Sequence, residues 1–301
     1  MAKKKLADVE AAFIPMDRRY YISVSEKVME TLRNNADRFE QAGVDEAYLD
    51  VSDRSKGHFP VAREIALRVK EEVMAGERLT CSIGIGANKL VAKIAADYEK
   101  PNGLTVVEPD RAATFLRPMP VEALIGVGKK TAEKMKEMGI VTIGDLANAK
   151  PSELDRAFGE RLGKYSYRSA RGIDESPVQE REMMSSISRI ATLSEDTRDL
   201  KAVLSRVDKL CDEVHERILR DNVVFRSVSA VAILKDLSVH TRSRTLDQPT
   251  DRIDVLKHET NELFARLLNA SELEVRRVGV RVSELAEVER MGKRITDFAS
   301  G

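Results

Sequence analysis

The stretch FEQAGVDEAYLDVSD, residues 39–53, decides how this chain is read. Val44, Ala47, Tyr48, Leu49 and Val51 surround two adjacent acids, Asp45 and Glu46, a pattern that predicts a mostly buried strand. Carboxylates are rarely buried without a partner, because desolvating an unpaired charge is costly. On a regular strand these two side chains would point to opposite faces. They converge on one cation only at a tight turn, and Gly43 just before them makes such a turn available. Converging carboxylates suit a hard divalent cation such as Mg²⁺, which keeps waters and bridges to phosphates. The competing reading is a surface hairpin with two solvated acids.

Around this stretch, helical and strand periods alternate. MDRRYYISVSEKVMETLRNNA (16–36) carries Tyr20, Val24, Val28, Met29 and Leu32 at helical spacing, and RFEQAGV and EAYLDVS read as two strands meeting near Gly43. PVAREIALRVKEEVMA (60–75) is an amphipathic helix, LTCSIGIG (79–86) a buried strand, NKLVAKIAADYEK (88–100) a helix stopped by Pro101, and GLTVVE a last strand. The order implies an α+β arrangement with helices layered on one face of a sheet. Gly84 and Gly86 run into a helix that carries Lys89 and Lys93, and Lys100 follows at its end. A helix N-terminus offers free N–H groups to anions, although the spacing matches neither a Walker A nor a dinucleotide fingerprint.

From about residue 108 the pattern becomes short and helical, up to a polar segment, DESPVQEREMMS (174–185), read as a linker. Within it, LIGVGKKTAEKMKEMGIVTIGDLA (124–147) has the pattern of a helix-hairpin-helix. Gly126 and Gly128 let the backbone approach a phosphate, the next helix presents N–H groups, and Lys129, Lys130 and Thr131 follow. A purely structural helical hairpin is the alternative, and FGERLGKYSYRSARGID is a more degenerate second copy. The remainder reads strand, helix, strand, strand, helix, strand, a βαββαβ unit. Its strand segments carry Arg189, Arg226, Lys235, Arg242, Arg244, Arg276, Arg277 and Arg281 against Glu274 alone, while its helices hold most of the acids. A basic sheet backed by acidic helices suits a phosphate backbone, and the scarcity of interleaved aromatics argues against base stacking.

Composition sets bounds rather than function. The 301 residues are 42% hydrophobic and 33% charged, with 50 basic and 50 acidic side chains, so net charge alone gives no support to nucleic-acid binding. No apolar run approaches a membrane span, and the start is a poor signal peptide. Cys81 and Cys211 lie far apart and the four histidines are scattered, which excludes a disulfide framework or zinc spacing and places the chain in a reducing, cytoplasmic setting.

Taken in order, these motifs resemble the Y-family, translesion DNA polymerases of the DNA polymerase IV type. GVDEAYLD and SIGIGANKLVAKIAADYEKPNGL are similar to that family's palm, LIGVGKKTAEKM to its thumb, and the final unit with VRRVGVRVSEL to its little finger. The resemblance implies a partial ferredoxin-like palm over 1–107 and a small all-α helix-hairpin-helix thumb over 108–173. A linker over 174–184, a DNA-binding little finger over 185–287 and a tail over 288–301 complete it. It implies that Asp45 is a ligand shared by two catalytic Mg²⁺ ions, that Glu46 lies beside the primer's 3′-hydroxyl end and helps hold the catalytic ion, and that Lys100 contacts the incoming triphosphate. The hairpin would hold primer phosphates, and the sheet arginines, Arg189, Arg242, Arg244, Arg276, Arg277 and Arg281, would grip template and duplex.

The implied reaction is two-metal nucleotidyl transfer on damaged DNA, with primer–template and deoxynucleoside triphosphates as partners and the chain acting as a monomer. The tail MGKRITDFASG (291–301) faintly resembles a clamp-binding peptide, with Ile295 and Phe298 as anchors; a frayed terminus is the alternative. Family members begin with a strand bearing a further metal-binding Asp and a sugar filter, followed by a fingers domain. This sequence starts after them, and Asp8 is no stand-in. The expectation is a chain that lacks a central palm strand and binds DNA while polymerising poorly or not at all. Primer extension by the purified chain would overturn that. A non-catalytic DNA-binding relative is the alternative. A nucleotide cyclase palm also pairs carboxylates with magnesium but has no use for the hairpin or the basic sheet.

Overall fold

The computed structural model describes residues 6, 10–180, 185–270 and 272–288, and the chain divides into two compact units, Met1–Arg181 and Glu182–Gly301. The tail motif and Asp8 lie outside the described residues. No described helix is long and apolar enough to cross a membrane.

In the first unit, helix α1 (Arg18–Asn34) starts where the Asp17 carboxylate accepts from the Tyr20 N–H at 3.1 Å. Strands β1 (Arg38–Gln41) and β2 (Ala47–Asp50) pair antiparallel, with Phe39 opposite Leu49. A short helix α2 (Ser52–Ser55) leads to α3 (Phe59–Glu77), whose proline in the first turn sits where its missing N–H costs nothing. Ile65, Val69 and Val73 of α3, one turn apart, pack with Val28, Leu32, Val51 and Ile83. Strand β3 (Ile83–Ile85) then runs parallel to β4 (Leu104–Val106), with α4 (Lys89–Tyr98) between them. Asn88 caps α4 by accepting from the Val91 N–H at 3.0 Å.

The sequence predicts one sheet here; the structure has two separate two-stranded pieces, β1–β2 and β3–β4. Among the described residues no strand joins them; Val51, just past β2, and Ile83 of β3 both pack against Ile65, Val69 and Val73 of α3.

Gly84 shows how closely β3 and α4 approach. A Cβ there would stand 2.0 Å from the Ala92 carbonyl oxygen and 2.2 Å from the Ala96 nitrogen, both backbone atoms of a helix that cannot move alone. Gly84→Ala is therefore expected to lower unfolding stability by about 3 kcal/mol, at the upper end of overpacking penalties. Urea denaturation checks it, and a change within about 0.5 kcal/mol, as at an ordinary surface site, would refute the close approach.

Five short helices follow: α5 (Ala112–Leu116), α6 (Lys129–Glu137), α7 (Ile143–Asn148), α8 (Pro151–Phe158) and α9 (Glu160–Ser169). The Thr142 hydroxyl and Asp145 carboxylate form a reciprocal cap at the start of α7. Leu90, Val91 and Ile94 of α4 share one apolar cluster with Leu116, Leu124, Met135, Ile143, Leu146 and Leu154, so the segments on either side of residue 108 have a common core. The 174–180 segment, predicted as a polar linker, is tied down in this unit. Asp174 Oδ2 accepts from the Leu90 N–H at 3.2 Å, Gln179 N–H donates to Glu40 at 3.2 Å, and Arg33 pairs with Glu180 at 2.5 Å.

The second unit is the βαββαβ fold the sequence predicts: β5 (Ser186–Thr197), α10 (Leu200–Arg220), β6 (Val223–Leu234), β7 (Val239–Thr250), α11 (Ile253–Asn269) and β8 (Val275–Ser283). The spatial order is β5-β8-β6-β7, with a short β9 (Ala286–Glu287) on β6. Val228, Ala230 and Ala232 of β6 lie opposite Val282, Val280 and Val278 of β8, and all are buried with Val207, Leu210, Leu263 and Phe264 of the two helices. One face of the sheet is thus the core, and alternation sends the next residues to the open face. Strands β5 and β7 run further than predicted and take in Glu195, Asp196 and Asp247, whereas Glu274 falls just before β8.

Candidate active site and nucleic-acid surface

Asp45 and Glu46 do not sit inside a buried strand. They occupy the turn between β1 and β2, where the Ala42 and Gly43 N–H groups donate to the Glu46 carbonyl at 2.9 and 3.0 Å, and both side chains are exposed. The turn resolves the desolvation problem: the carboxylates stay wetted until something binds them. Both line one cavity of about 910 Å³, together with Tyr48, Lys93, Lys100, Asp174 and Ser176.

The cations of this cavity form a chain. Lys93 Nζ pairs with Glu46 Oε1 and lies 3.6 Å from Asp97, which pairs with Lys100 at 2.6 Å. Burial pulls the Lys93 pKa down, but its hydrogen bond to Glu46 and the charges of Asp97 and Glu46 outweigh that and hold it above the usual lysine value. Burial likewise pushes Asp97 up, while the Lys100 hydrogen bond and both lysine charges leave it below the usual aspartate value. Deeper in, Lys89 pairs with the buried Glu40 at 2.8 Å and lies 5.4 Å over the Tyr48 ring. Burial, followed by the charges of Glu46, Glu40 and Asp174, raises the Tyr48 pKa, so this phenol remains a neutral donor at pH 7. Of these, Asp97, Tyr48 and Glu40 escape the sequence reading. The i, i+4 spacing of Lys93 and Asp97 is the signal that could have found the first.

Two adjacent carboxylates facing a wet cavity fit a hard divalent cation that keeps waters and takes further oxygens from a phosphate. Among the described residues, no three His, Cys, Asp or Glu side chains gather closely enough to hold a metal by themselves.

In the hairpin, Gly126 adopts φ +84° and Gly128 is the N-cap of α6 without a side-chain cap, leaving its first-turn N–H groups facing outward beside exposed Lys129 and Lys130, with Thr131 half-buried. The Tyr165 hydroxyl donates to the Ile125 carbonyl at 2.8 Å and braces the turn. The element before it is a 3₁₀ turn, Val121–Ala123, rather than the predicted α-helix. The degenerate copy is helix, Gly159 at φ +80°, helix.

The sheet arginines divide between two faces, which corrects the expectation of one basic surface. Arg281 lies opposite Ser188 and Ser229, and Arg277 opposite Thr192 and Ile233, all on the open face. Arg189 lies opposite the buried Val280, and Arg244 and Arg242 opposite the buried Val228 and Ala230, so these three project on the helix side at the two sheet edges. There Arg189 stands 3.7 Å from Glu213 and Arg244 3.0 Å from Glu259. Arg276 faces Asp196 at 3.8 Å, Lys235 pairs with Glu274 at 2.6 Å, and Arg226 Nε donates to the Leu246 carbonyl at 3.1 Å. Around Arg277 and Arg281, the open face is rich in hydroxyls: Ser186, Ser188, Ser227, Ser229, Ser243 and Thr245.

Comparison with known proteins bears on the same segments. Residues 1–97 match the impB/mucB/samB family, residues 122–174 the DNA polymerase-iota thumb domain, and residues 184–296 the impB/mucB/samB family C-terminal domain. The chain is 42% identical over 290 residues to DNA polymerase IV of Methanosarcina acetivorans, covering 94% of this chain and 79% of that protein. It is 40% identical over 287 residues to DNA polymerase IV of Nitrosopumilus maritimus, covering 95% and 79%. Among solved structures, a Y-family DNA polymerase chimera of Dbh and Dpo4 superposes with a TM-score of 0.87 at 29% identity, over 95% of this chain and 81% of that one. An insertion ternary complex of Dbh DNA polymerase gives 0.62 at 29% identity, over 95% and 81%.

Proposed function

The chain belongs to the Y-family DNA polymerases of the DNA polymerase IV type, DNA-directed enzymes of lesion bypass, and on that premise we propose that Asp45 and Glu46 carry its metal-dependent nucleotidyl transfer. The observation that carries this reading is the convergence of Asp45, Glu46, Lys93 and Lys100 on one cavity. The ion we assign is Mg²⁺, since an all-oxygen donor pair that leaves room for water and phosphate suits it. When bound, such an ion polarises a phosphoryl oxygen and favours the alkoxide form of an attacking hydroxyl.

The chain's own groups do the rest. Asp45 and Glu46 present oxygens from a turn that can approach both a primer end and a nucleotide. The Lys100 ammonium, paired with Asp97 in the same cavity, would meet the β- and γ-phosphate oxygens and steady the departing pyrophosphate as the α–β bridging bond breaks and the 3′-oxygen, its proton given up to water, bonds the α-phosphorus. Gly126, Gly128, Lys129, Lys130 and Thr131 hold primer-strand phosphates, and Arg277 and Arg281 with their neighbouring hydroxyls hold the duplex backbone. Work on DNA in the cytoplasm is part of this proposal. The clamp-binding motif falls outside the described residues.

Because no third protein ligand stands beside Asp45 and Glu46 among the described residues, the polypeptide by itself is expected to extend a primer slowly or not at all. It is nonetheless expected to bind primer–template with an affinity that falls steeply with salt. Gel-shift titration at several salt concentrations, alongside a template-extension assay, checks both. Salt-insensitive or absent binding would overturn the nucleic-acid reading, and rapid extension would overturn the ligand count.

A further inference from the structure

Lys93 sits where the function proposed above needs a cation of another kind. Its ammonium pairs with Glu46, the carboxylate assigned to the metal, and α4 places Asp97 one turn further on, 3.6 Å from the same ammonium. The Lys93 side chain is 24% exposed and that of Glu46 47%, so the lysine is seated in the cavity wall while the acid reaches it from the hairpin. A divalent ion at Glu46 must therefore compete with an ammonium already in place.

We propose that Lys93 is the resident counter-ion of Glu46, displaced when a divalent cation binds, and that Asp97 keeps the displaced ammonium beside Lys100 as a second donor to the nucleotide's polyphosphate. An ammonium has three donors and no acceptor, so Lys93 can retain Asp97 with one N–H while the others turn to phosphate oxygens. The chain Glu46–Lys93–Asp97–Lys100 then converts cation binding at one end of the cavity into an anion site at the other. This inference rests on the reading of Glu46 as a metal-bearing group.

A merely structural ion pair predicts the opposite sign. If Lys93 only fixed the hairpin, removing its charge would loosen Glu46 and weaken metal binding; if it competes, removal strengthens it. The experiment titrates Mn²⁺ alone into the purified chain, followed by electron paramagnetic resonance, for the unaltered protein, K93M, E46Q and the double variant. K93M is expected to bind Mn²⁺ about two- to fivefold more tightly, the size of one partly screened ion pair, and this gain is expected to vanish in the E46Q background. With Mg²⁺ present, K93M should bind a fluorescent deoxynucleoside triphosphate more weakly, and K93R should restore it. Unchanged or weaker Mn²⁺ binding by K93M, or the same gain without Glu46, would overturn the counter-ion role. Unaltered Mn²⁺ binding by E46Q would overturn the metal reading beneath it, a separate and recognisable failure.

Discussion

Asp45→Asn is expected to weaken Mn²⁺ binding to the cavity it lines by about a hundredfold or more while leaving the fold intact. Gly43 leaves space under the Asp45 carboxylate, a Cβ there coming 3.6 Å from Oδ1, and the side chain is exposed, so an isosteric amide creates neither a cavity nor a buried orphan. What it removes is an anionic oxygen donor, and an amide oxygen is a poor substitute for a hard divalent ion. Loss even of groups that only orient metal ligands costs about ten- to a hundredfold, which sets the lower bound for losing a ligand. Thermal melting of the variant should match the unaltered protein, and Mn²⁺ titration should separate them. A D45N chain that binds Mn²⁺ normally would remove Asp45 from the site.

The second large effect distinguishes the two faces of the sheet. Arg277 and Arg281 stand on the open face among serines and threonines, whereas Arg242 and Arg244 project past the helix side, Arg244 already paired with Glu259. Each arginine that meets a phosphate contributes about one unit to the salt slope, and about a decade of affinity near 0.1 M salt follows from that slope. The double variant R277A/R281A is accordingly expected to bind primer–template about a hundredfold more weakly and to lower the slope by about two. R242A/R244A is expected to lose about tenfold or less. Fluorescence anisotropy across a salt series reads both quantities. The reverse ranking would place the duplex on the helix-side edges instead.

How far the sequence carries depends on what each feature is made of. The alternation of helical and strand periods is local, and it places every main element of the second unit, from Ile187 to Val282. The glycine before Asp45 likewise announces the turn. The split of the first unit's strands into two pairs is not local: periodicity makes Val51 and Ile83 legible as apolar strand residues, and only the family resemblance, with its expected missing strand, points to a gap between the pairs. Arginine placement fails for a related reason. Arg242 and Arg244 share a face by parity alone, yet which face depends on register with Ala230 and Val228, and a slip of one residue would reverse it. The Lys93–Asp97–Lys100 spacing was visible as a helical charge pattern. Its link to Glu46 required two segments 47 residues apart to meet.

The central claim is that Asp45 and Glu46 hold a divalent ion facing a nucleotide's phosphates. Crystals grown with Mn²⁺, a primer–template and a non-hydrolysable deoxynucleoside triphosphate, measured at the manganese absorption edge, test it directly. The account predicts an anomalous peak within coordination distance of both carboxylates, with the triphosphate against Lys100. A nucleotide bound elsewhere, or a peak that neither Asp45 nor Glu46 touches, would contradict it.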